Sequence, residues 1–392
     1  MNIAFYAPFK PLDHPRPSGD LTTALGLTGY LAGRGHQVTV ASRLRTRHLA
    51  SKPWLWPLAA MEALRAGRTG ASGGPGADVW LTHHAYYKSP DVVGPWASRR
   101  MGVPYAIFQG IYSTKRRKSL ATRLGFELNR KSLLAADVVF ANRRLDLENL
   151  RRLLPEERLC YVAPGIDPDS FRRDPEAGRE LRAVLGGNGL HGTGLSGVTG
   201  ASGGIGGVED RPVILSVAMF RDDVKSQGLN YLITRLGRLK RDFLLVLAGD
   251  GETRGELEAL ARELLPGRCV FLGQVPREKL YQAYSAADLF VFPGIRESLG
   301  MVYLEAQAAG LPVVAFDNGG IPEVVRRGET GLLTRPFDDA AFLDAVDGLL
   351  VDPDRRLAMG RAAVKYVRER HDARTVFQVV EERLLALVGR PR

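Results

Sequence analysis

Glu297-Ser-Leu-Gly-Met-Val-Tyr-Leu-Glu305-Ala-Gln-Ala-Ala-Gly310-Leu-Pro-Val-Val-Ala315, entered from Asp288-Leu-Phe-Val-Phe-Pro293, is the stretch that decides the fold. Its apolar lead-in predicts a strand running into a short glycine-containing loop. The loop opens a helix over residues 301–309, stopped by Gly310 and Pro312, and a second apolar strand follows at Val313–Phe316. Strand, loop, helix and strand in that order make a crossover unit with parallel strands. The first N–H groups of such a helix have no partner inside it, so those of Gly300, Met301 and Val302 form an anion seat over the strand ends. Glu305 lies about one turn inside the helix, roughly 5 Å along its axis. A diphosphate at the tip and a ribose beside it are offset by about as much, and a carboxylate accepts from ribose hydroxyls. Glu297 and Glu305, on either side of the seat, suit a nucleotide-sugar.

The same alternation extends in both directions. Strands are expected at 3–7 and 37–41 around a helix at 21–31, then at 79–82, 105–108, 138–141 and 160–162. Residues 42–77, with Pro, Trp, Gly and basic residues mixed, carry the weakest pattern. Val162-Ala-Pro-Gly-Ile-Asp167 has the composition of a hinge. After a helix over Pro175–Leu185 the chain turns glycine-rich: 11 of the 22 residues from 186 to 207 are glycine, which predicts a flexible surface excursion. A second run follows: strand from Pro212, helix 229–239, strand 243–248, helix 253–264, strand 269–272 and helix 277–285, with a helical C-terminal third. The expectation is α/β, two Rossmann-like doubly wound domains facing each other across a cleft. Their bounds are 1–165, with a C-terminal helix at 371–392 packing back on it, and 211–370, separated by a hinge and glycine-rich insertion at 166–210.

A chain of 392 residues with 45% hydrophobic content suits two domains with substantial cores. Cys160 and Cys269, one in each half, argue for a reducing compartment, hence a cytoplasmic location, and against a disulfide framework. The start, Met1-Asn-Ile-Ala-Phe-Tyr-Ala-Pro, reads as a buried strand and not a signal peptide. No run of about eighteen apolar residues is present to span a bilayer. The net charge of +11 is uneven: residues 1–165 carry 24 Lys and Arg against 11 Asp and Glu, or +13, and the remainder carries −2. The densest cluster is Lys115-Arg-Arg-Lys118, followed by Arg123, Arg130 and Lys131. It suits a solvated face, an anionic membrane surface or lipid-phosphate acceptor, or nucleic acid. The membrane is favoured over nucleic acid because no nucleic-acid module accompanies the charge; the protein is then peripheral at the inner face of the membrane.

Leu245-Val-Leu-Ala-Gly-Asp-Gly251, Val270-Phe-Leu-Gly273, Ala286-Ala-Asp-Leu-Phe-Val-Phe-Pro293, the two-glutamate stretch, Gly319-Gly-Ile-Pro-Glu323 and Gly328-Glu-Thr-Gly-Leu-Leu333 occur in order. Together they resemble the retaining glycosyltransferases of family 4 (group 1 glycosyltransferases), which have the GT-B fold. The likeness runs through residues 211–370 and more loosely through 1–170, in Pro17-Ser-Gly-Asp20, the strand ending at His83, and Ala163-Pro-Gly-Ile-Asp167. It implies transfer of a hexose-type sugar from a UDP- or GDP-sugar to a glycan or lipid-linked acceptor in cell-envelope polysaccharide or glycolipid synthesis. No covalent intermediate, metal or cofactor is implied.

By this resemblance Glu297 faces the donor sugar, Glu305 holds the ribose, and backbone amides of Ser298, Leu299, Gly300, Met301 and Val302 bind the diphosphate. Residues 273–275, with Gln274 and Val275, lie against the base. Lys225 supplies positive charge to the diphosphate. The family's arginine position holds Met219, and Arg221, two residues on, either reaches the phosphates from a shifted loop or pairs with Asp222 or Asp223. Gly19 keeps one of two glycines that approach the donor phosphates; Asp20 replaces the other, and Ser18 or Asp20 can cap the following helix. His83 is placed in the cleft as a catalytic residue with Glu297 and Lys225, or packs structurally, and Gln109 stands where family members carry another histidine.

Other classes remain to be separated by assay: a GT-B epimerase or phosphorylase, and a non-catalytic nucleotide-sugar-binding protein. Thr199-Gly-Ala-Ser-Gly-Gly-Ile-Gly206 spells a dehydrogenase glycine fingerprint, but it lacks the strand before it and the helix after it that such a loop needs. Asp167-Pro-Asp169 and Asp352-Pro-Asp354 mimic a metal motif, and proline-centred turns explain them better. With no His/Cys cluster at ligand spacing, no metal site is expected.

Overall fold

The computed structural model describes residues 1–15, 18–47, 49–52, 54–66, 76–186 and 211–389. Pro17, the dehydrogenase-like glycines and nearly all of the glycine-rich segment lie outside these. The chain divides into two compact units, Met1–Gly165 with Ala373–Arg392, and Ile166–Asp372.

The first unit runs β1 (Asn2–Tyr6), α1 (Gly19–Gly33), β2 (Gln37–Ser42), α2 (Leu55–Ala66), β3 (Val79–Ala85), α3 (Gly94–Met101), β4 (Tyr105–Gly110), α4 (Leu120–Ala135), β5 (Val138–Ala141), α5 (Arg144–Leu150) and β6 (Leu159–Tyr161). The strands pair in parallel in the order β2-β1-β3-β4-β5-β6. Period-two alternation splits the core into two layers. Ala4, Tyr6, Trp80, Tyr105, Ile107 and Val139 pack with residues of α2, α3, α4 and α5. Ile3, Phe5, Val79, Leu81, Ala106, Phe108 and Val138 pack with α1 and the chain's last helix. That helix is tied in by Glu381, which accepts from Tyr30 Oη at 2.8 Å, Arg34 Nε at 3.2 Å and His36 Nε2 at 2.8 Å.

The second unit runs α6 (Pro175–Leu185), β7 (Val213–Val217), α7 (Val224–Leu236), β8 (Leu244–Ala248), α8 (Arg254–Leu264), β9 (Cys269–Gly273), α9 (Leu280–Ala286), β10 (Leu289–Val291), α10 (Met301–Ala308), β11 (Val313–Phe316), α11 (Ile321–Val324), β12 (Gly331–Thr334), α12 (Asp339–Val351) and α13 (Pro353–Arg370). The last helix, α14 (Ala373–Val388), belongs to the first unit. The strand order is β12-β11-β10-β7-β8-β9, again all parallel. Both sheets are therefore Rossmann-like, and the fold is of the GT-B class.

Three local differences from the sequence expectations have physical causes. Residues 166–185, set apart above with the hinge and insertion, pack in the second unit: α6 lies against α9, and Arg182 pairs with Asp288 at 2.6 Å. α7 begins at Val224, earlier than expected, because Asp223 caps it by accepting from Lys225 N at 2.7 Å. Strand β12 appears inside the third expected to be helical, where Gly331 pairs beneath Val313. The Asp-Pro-Asp sequences do serve local backbone roles. Asp167 accepts from Asp169 N and the Ser170 hydroxyl, and Asp352 caps α13. Among the described residues no cluster of His, Cys, Asp or Glu could hold a metal ion.

Candidate active site

In an open parallel sheet, adjacent strands whose connections leave in opposite directions open a crevice at their carboxyl ends. In the second unit that place lies between β7 and β10. The segment after β7 brings Lys225 onto the first turn of α7, and the segment after β10 brings Glu297. Their side chains meet: Lys225 Nζ and a Glu297 carboxylate oxygen form a short ion pair, with Nζ 5.4 Å from the centre of the Phe292 ring. The Glu297 side chain is 14% exposed and the Lys225 side chain 32%, so the pair is partly buried and still reached by solvent.

The loop carrying Glu297 is held by close backbone packing. Gly319 has φ +60°, and a Cβ there would lie 2.0 Å from the Glu297 carbonyl oxygen; one on Gly320 would lie 1.9 Å from that of Ser298. Gly320 N–H also donates to the Glu297 carbonyl at 3.1 Å. These two glycines are the Gly319-Gly-Ile-Pro-Glu323 motif. Gly300, φ +70°, then starts α10 without any side-chain cap and with no acidic residue in the first turn. The N–H groups of Tyr303 and Leu304 are satisfied by the Gly300 carbonyl, and Ser298 N–H donates to its neighbour's carboxylate, Glu297 Oε1, at 3.1 Å. Met301 and Val302 are thus the α10 positions whose N–H groups have no intrahelical acceptor. Of the five amides expected at the diphosphate, Ser298 is already committed to Glu297.

Glu305 lies one turn in and is 2% exposed. It accepts from Arg277 Nη1 at 2.7 Å and from Tyr284 Oη at 3.0 Å. Burial raises its pKa, a shift that Arg277 and the Tyr284 hydroxyl only reduce. Both oxygens already have donors, so a ribose hydroxyl must share them. Gln274, exposed, and Val275, half-buried, follow β9 at the same carboxyl edge, just before Arg277. Arg221 is exposed. It makes neither of the aspartate pairs weighed from sequence: Nη2 lies 2.7 Å from Met219 Sδ, while Asp223 caps α7 and Asp222 N–H donates to Glu252.

The corresponding place in the first unit lies between β1 and β3, and it too gathers polar side chains. His83 itself is 1% exposed, stacked on Phe108 with ring centres 5.6 Å apart. Burial lowers its pKa to about 4, so it is neutral at physiological pH. Of the two readings of His83, catalytic or structural packing, its burial fits the second: period-two alternation carries it with Val79 and Leu81 toward the α1–α14 layer. His84, not singled out from sequence, is the accessible one. It has φ +61° and makes a short hydrogen bond from Nδ1 to Asp20 Oδ1. Burial alone would raise the Asp20 pKa, but His84, with His83 and Lys10 adding to it, makes the net shift downward. Ser18 alone caps α1, accepting from Leu21 N at 3.3 Å, and Gly19 is its first residue. Gln109, at the end of β4, also has positive φ, +61°. His83 Nε2, Gln109 Oε1 and Asp20 Oδ2 are buried without hydrogen-bond partners.

Residues 204–366 match the family described as "Glycosyl transferases group 1". The chain carries a group 1 glycosyl transferase domain. It is 33% identical over 232 residues to the GDP-mannose-dependent alpha-(1-6)-phosphatidylinositol monomannoside mannosyltransferase of Mycolicibacterium smegmatis, covering 56% of this chain and 54% of that protein. It is 30% identical over 312 residues to the D-inositol 3-phosphate glycosyltransferase of Acidothermus cellulolyticus, covering 75% of this chain and 64% of that protein. The chain therefore spans between half and two-thirds of the length of these relatives. Among solved structures, sucrose-phosphate synthase from Thermosynechococcus elongatus superposes with a TM-score of 0.74 at 20% identity, covering 99% of both chains. Anabaena HepE in complex with UDP gives 0.73 at 20% identity, covering 99% of this chain and 100% of that one.

The glycosyl transferase domain thus holds Lys225, Glu297 and the α10 tip together. Glu305 lies deeper, with Arg277 and Tyr284, while His83 and Gly19 belong to the other unit. Arg277, Tyr284 and His84 escaped detection from sequence. Arg277 and Glu305 are 28 residues apart, and His84 and Asp20 64 apart, so no local spacing announces either pair.

Proposed function

We propose that the protein transfers a hexose-type sugar from a UDP- or GDP-sugar to a glycan or lipid-linked acceptor with retention of anomeric configuration. The observation that carries this is the meeting of Lys225 and Glu297 beside an uncapped helix start, at the point where the strand order of the second unit reverses. A diphosphate there would take hydrogen bonds from Met301 and Val302 and charge from Lys225, with Arg221 within the same loop. These groups offset the charge that builds on the departing nucleoside diphosphate, the main demand of a transfer without covalent intermediate. Glu297 would face the sugar, Glu305 would share its oxygens with the ribose, and Gln274 and Val275 would line the base. No resident metal is required in this scheme. The acceptor would bind the first unit near His84 and Asp20, with the buried His83 ring 6.3 Å from that of His84.

The names of the two relatives, one acting on a phosphatidylinositol mannoside and one on inositol 3-phosphate, support a phosphate- or lipid-bearing acceptor. No described helix is long and apolar enough to cross a membrane. Such an acceptor would place the protein peripherally at the inner face of a membrane, in cell-envelope polysaccharide or glycolipid synthesis. The test is transfer from radiolabelled UDP- and GDP-hexoses to polyprenyl-phosphate, phosphoinositide and oligosaccharide acceptors, with and without EDTA, followed by NMR of the product linkage. Retained configuration is expected; an inverted product, or donor binding without any transfer, would overturn the proposal.

A further inference from the structure

Helix α2 is built inside out. The side chains it turns inward are Ala59, Ala63 and Ala66, all buried, the last two in the layer beside the sheet. Its outer face carries Trp54 just ahead of it, then Pro57, Leu58, Ala60, Met61 and Leu64, with Arg65 beside them ion-paired to Glu62 at 3.3 Å. Trp54 is 67% exposed and Met61 63%. A surface helix of a globular protein places its large apolar residues on the opposite side, and a contiguous exposed apolar face marks an interaction site.

Two further features adjoin it. α2 packs against α3, α3 against α4, and α4 against the helical turn Leu49–Ser51 just ahead of α2, so these helices share one side of the sheet. α4 opens with Leu120, 86% exposed, and Leu124 one turn on. Directly before it Lys115, Arg116, Arg117 and Lys118 are all exposed, and Arg123 joins them. α2 and α4 each follow a parallel strand, so their N-terminal ends rise from the carboxyl edge of the sheet. Asp20 and His84 lie at that edge as well.

We infer that this outer face of the α2–α3–α4 layer docks on an anionic lipid bilayer, with Trp54, Leu58, Met61, Leu120 and Leu124 entering the interface and the basic cluster meeting the headgroups. The charge selects this occupant: a protein partner for so apolar a face would not call for four successive cations at its border, whereas an anionic bilayer offers hydrocarbon and negative charge together. The excess of +13 over residues 1–165 has the matching sign. The inference builds on the lipid-linked acceptor proposed above, since it brings the Asp20–His84 edge to the surface where such acceptors reside.

The experiment uses the full chain without donor, so that it does not depend on transfer. Flotation with phosphatidylcholine vesicles, alone or with phosphatidylglycerol, should show binding to the anionic vesicles only, weakened by salt, with a blue shift in emission that Trp54→Phe diminishes. Met61→Glu with Leu120→Glu, and separately Lys115→Gln, Arg116→Gln, Arg117→Gln and Lys118→Gln together, should each weaken binding at least about tenfold. All six positions are exposed, and unchanged thermal melting confirms folding. No binding to anionic vesicles at low salt, or binding indifferent to both variants, overturns the inference. So does sedimentation showing a dimer that Met61→Glu with Leu120→Glu dissociates in a protein that ignores vesicles. Normal transfer to a soluble acceptor alongside absent vesicle binding would remove the docking face and leave the transferase assignment standing.

Discussion

Removing either member of the Lys225–Glu297 pair should change nucleoside diphosphate affinity in opposite directions. Lys225→Ala deletes one charge-assisted contact to the diphosphate, worth about 1.5–3 kcal/mol, or roughly 10- to 150-fold in affinity. Glu297→Gln removes the carboxylate that holds Nζ in the free protein and repels the incoming phosphates. The Lys225 side chain is 32% exposed, so a screened charge interaction applies, about 1 kcal/mol and hence some fivefold tighter binding of UDP or GDP. With an intact nucleotide-sugar, Glu297→Gln should nonetheless lose most transfer, because the carboxylate proposed to face the sugar is gone. Calorimetric titration with UDP and GDP in about 0.1 M salt measures the first effect, and initial rates with the matching sugar donor the second. Should Glu297→Gln weaken nucleoside diphosphate binding as much as Lys225→Ala, the two residues act as a structural unit and not as donor ligand and sugar ligand. Affinity within twofold of the parent for Lys225→Ala would remove the diphosphate site from this end of α7.

Gly319→Ala places a methyl group 2.0 Å from the Glu297 carbonyl at φ +60°. It should cost about 2–4 kcal/mol and lower the melting of the second unit by roughly 5–10 °C, with weaker nucleotide binding, and unchanged melting by calorimetry would contradict the packing account. His83 gives the first unit an acid-sensitive term: the unfolded chain binds its proton below the ordinary value of 6.5, the native state only near 4. Stability from this group is therefore lost as pH falls through that window, by up to about 3 kcal/mol. Urea unfolding at pH 7 and 4.5 should show a shallower loss for His83→Phe, and an identical acid slope would reject it. His84→Ala and Asp20→Asn should each lower transfer to acceptor about tenfold or more while leaving nucleoside diphosphate affinity within twofold; a parallel loss of nucleotide affinity would assign the pair to the donor.

The second unit was largely legible in the sequence because its strands are apolar runs bounded by Gly and Pro and its loops are short. Strand bounds at Val313–Phe316 and the start of α10 at Met301 coincide with the pattern that predicts them. The start of α7 was misplaced because Asp222 and Asp223 resemble a loop, whereas Asp223 is the cap that starts the helix. Side-chain pairings that join distant loops were illegible for a different reason. Parallel sheets bring together the ends of strands far apart in sequence, so the β7–β10 adjacency, which no local spacing encodes, lets Lys225 meet Glu297 across 72 residues. Arg277, after the edge strand β9, reaches Glu305 inside α10 across 28 residues although β9 and β10 do not pair.

His83 and α2 show how far periodicity can be pushed. Val79, Leu81 and His83 share the face of β3 that packs in the α1–α14 layer, but Trp80 and Thr82 are equally buried on the other face, so parity alone does not separate the two histidines; His84 leaves the strand alternation at φ +61°. In α2 periodicity falls short for another reason. Leu58, Met61 and Leu64 recur at helical spacing and would ordinarily be assigned inward, yet the alanines occupy the interior. The two faces differ in volume, not in polarity, so a pattern that distinguishes only apolar from polar cannot orient the helix. In α2 the inward positions fall to Ala59, Ala63 and Ala66, so its large apolar side chains are left on the exposed side.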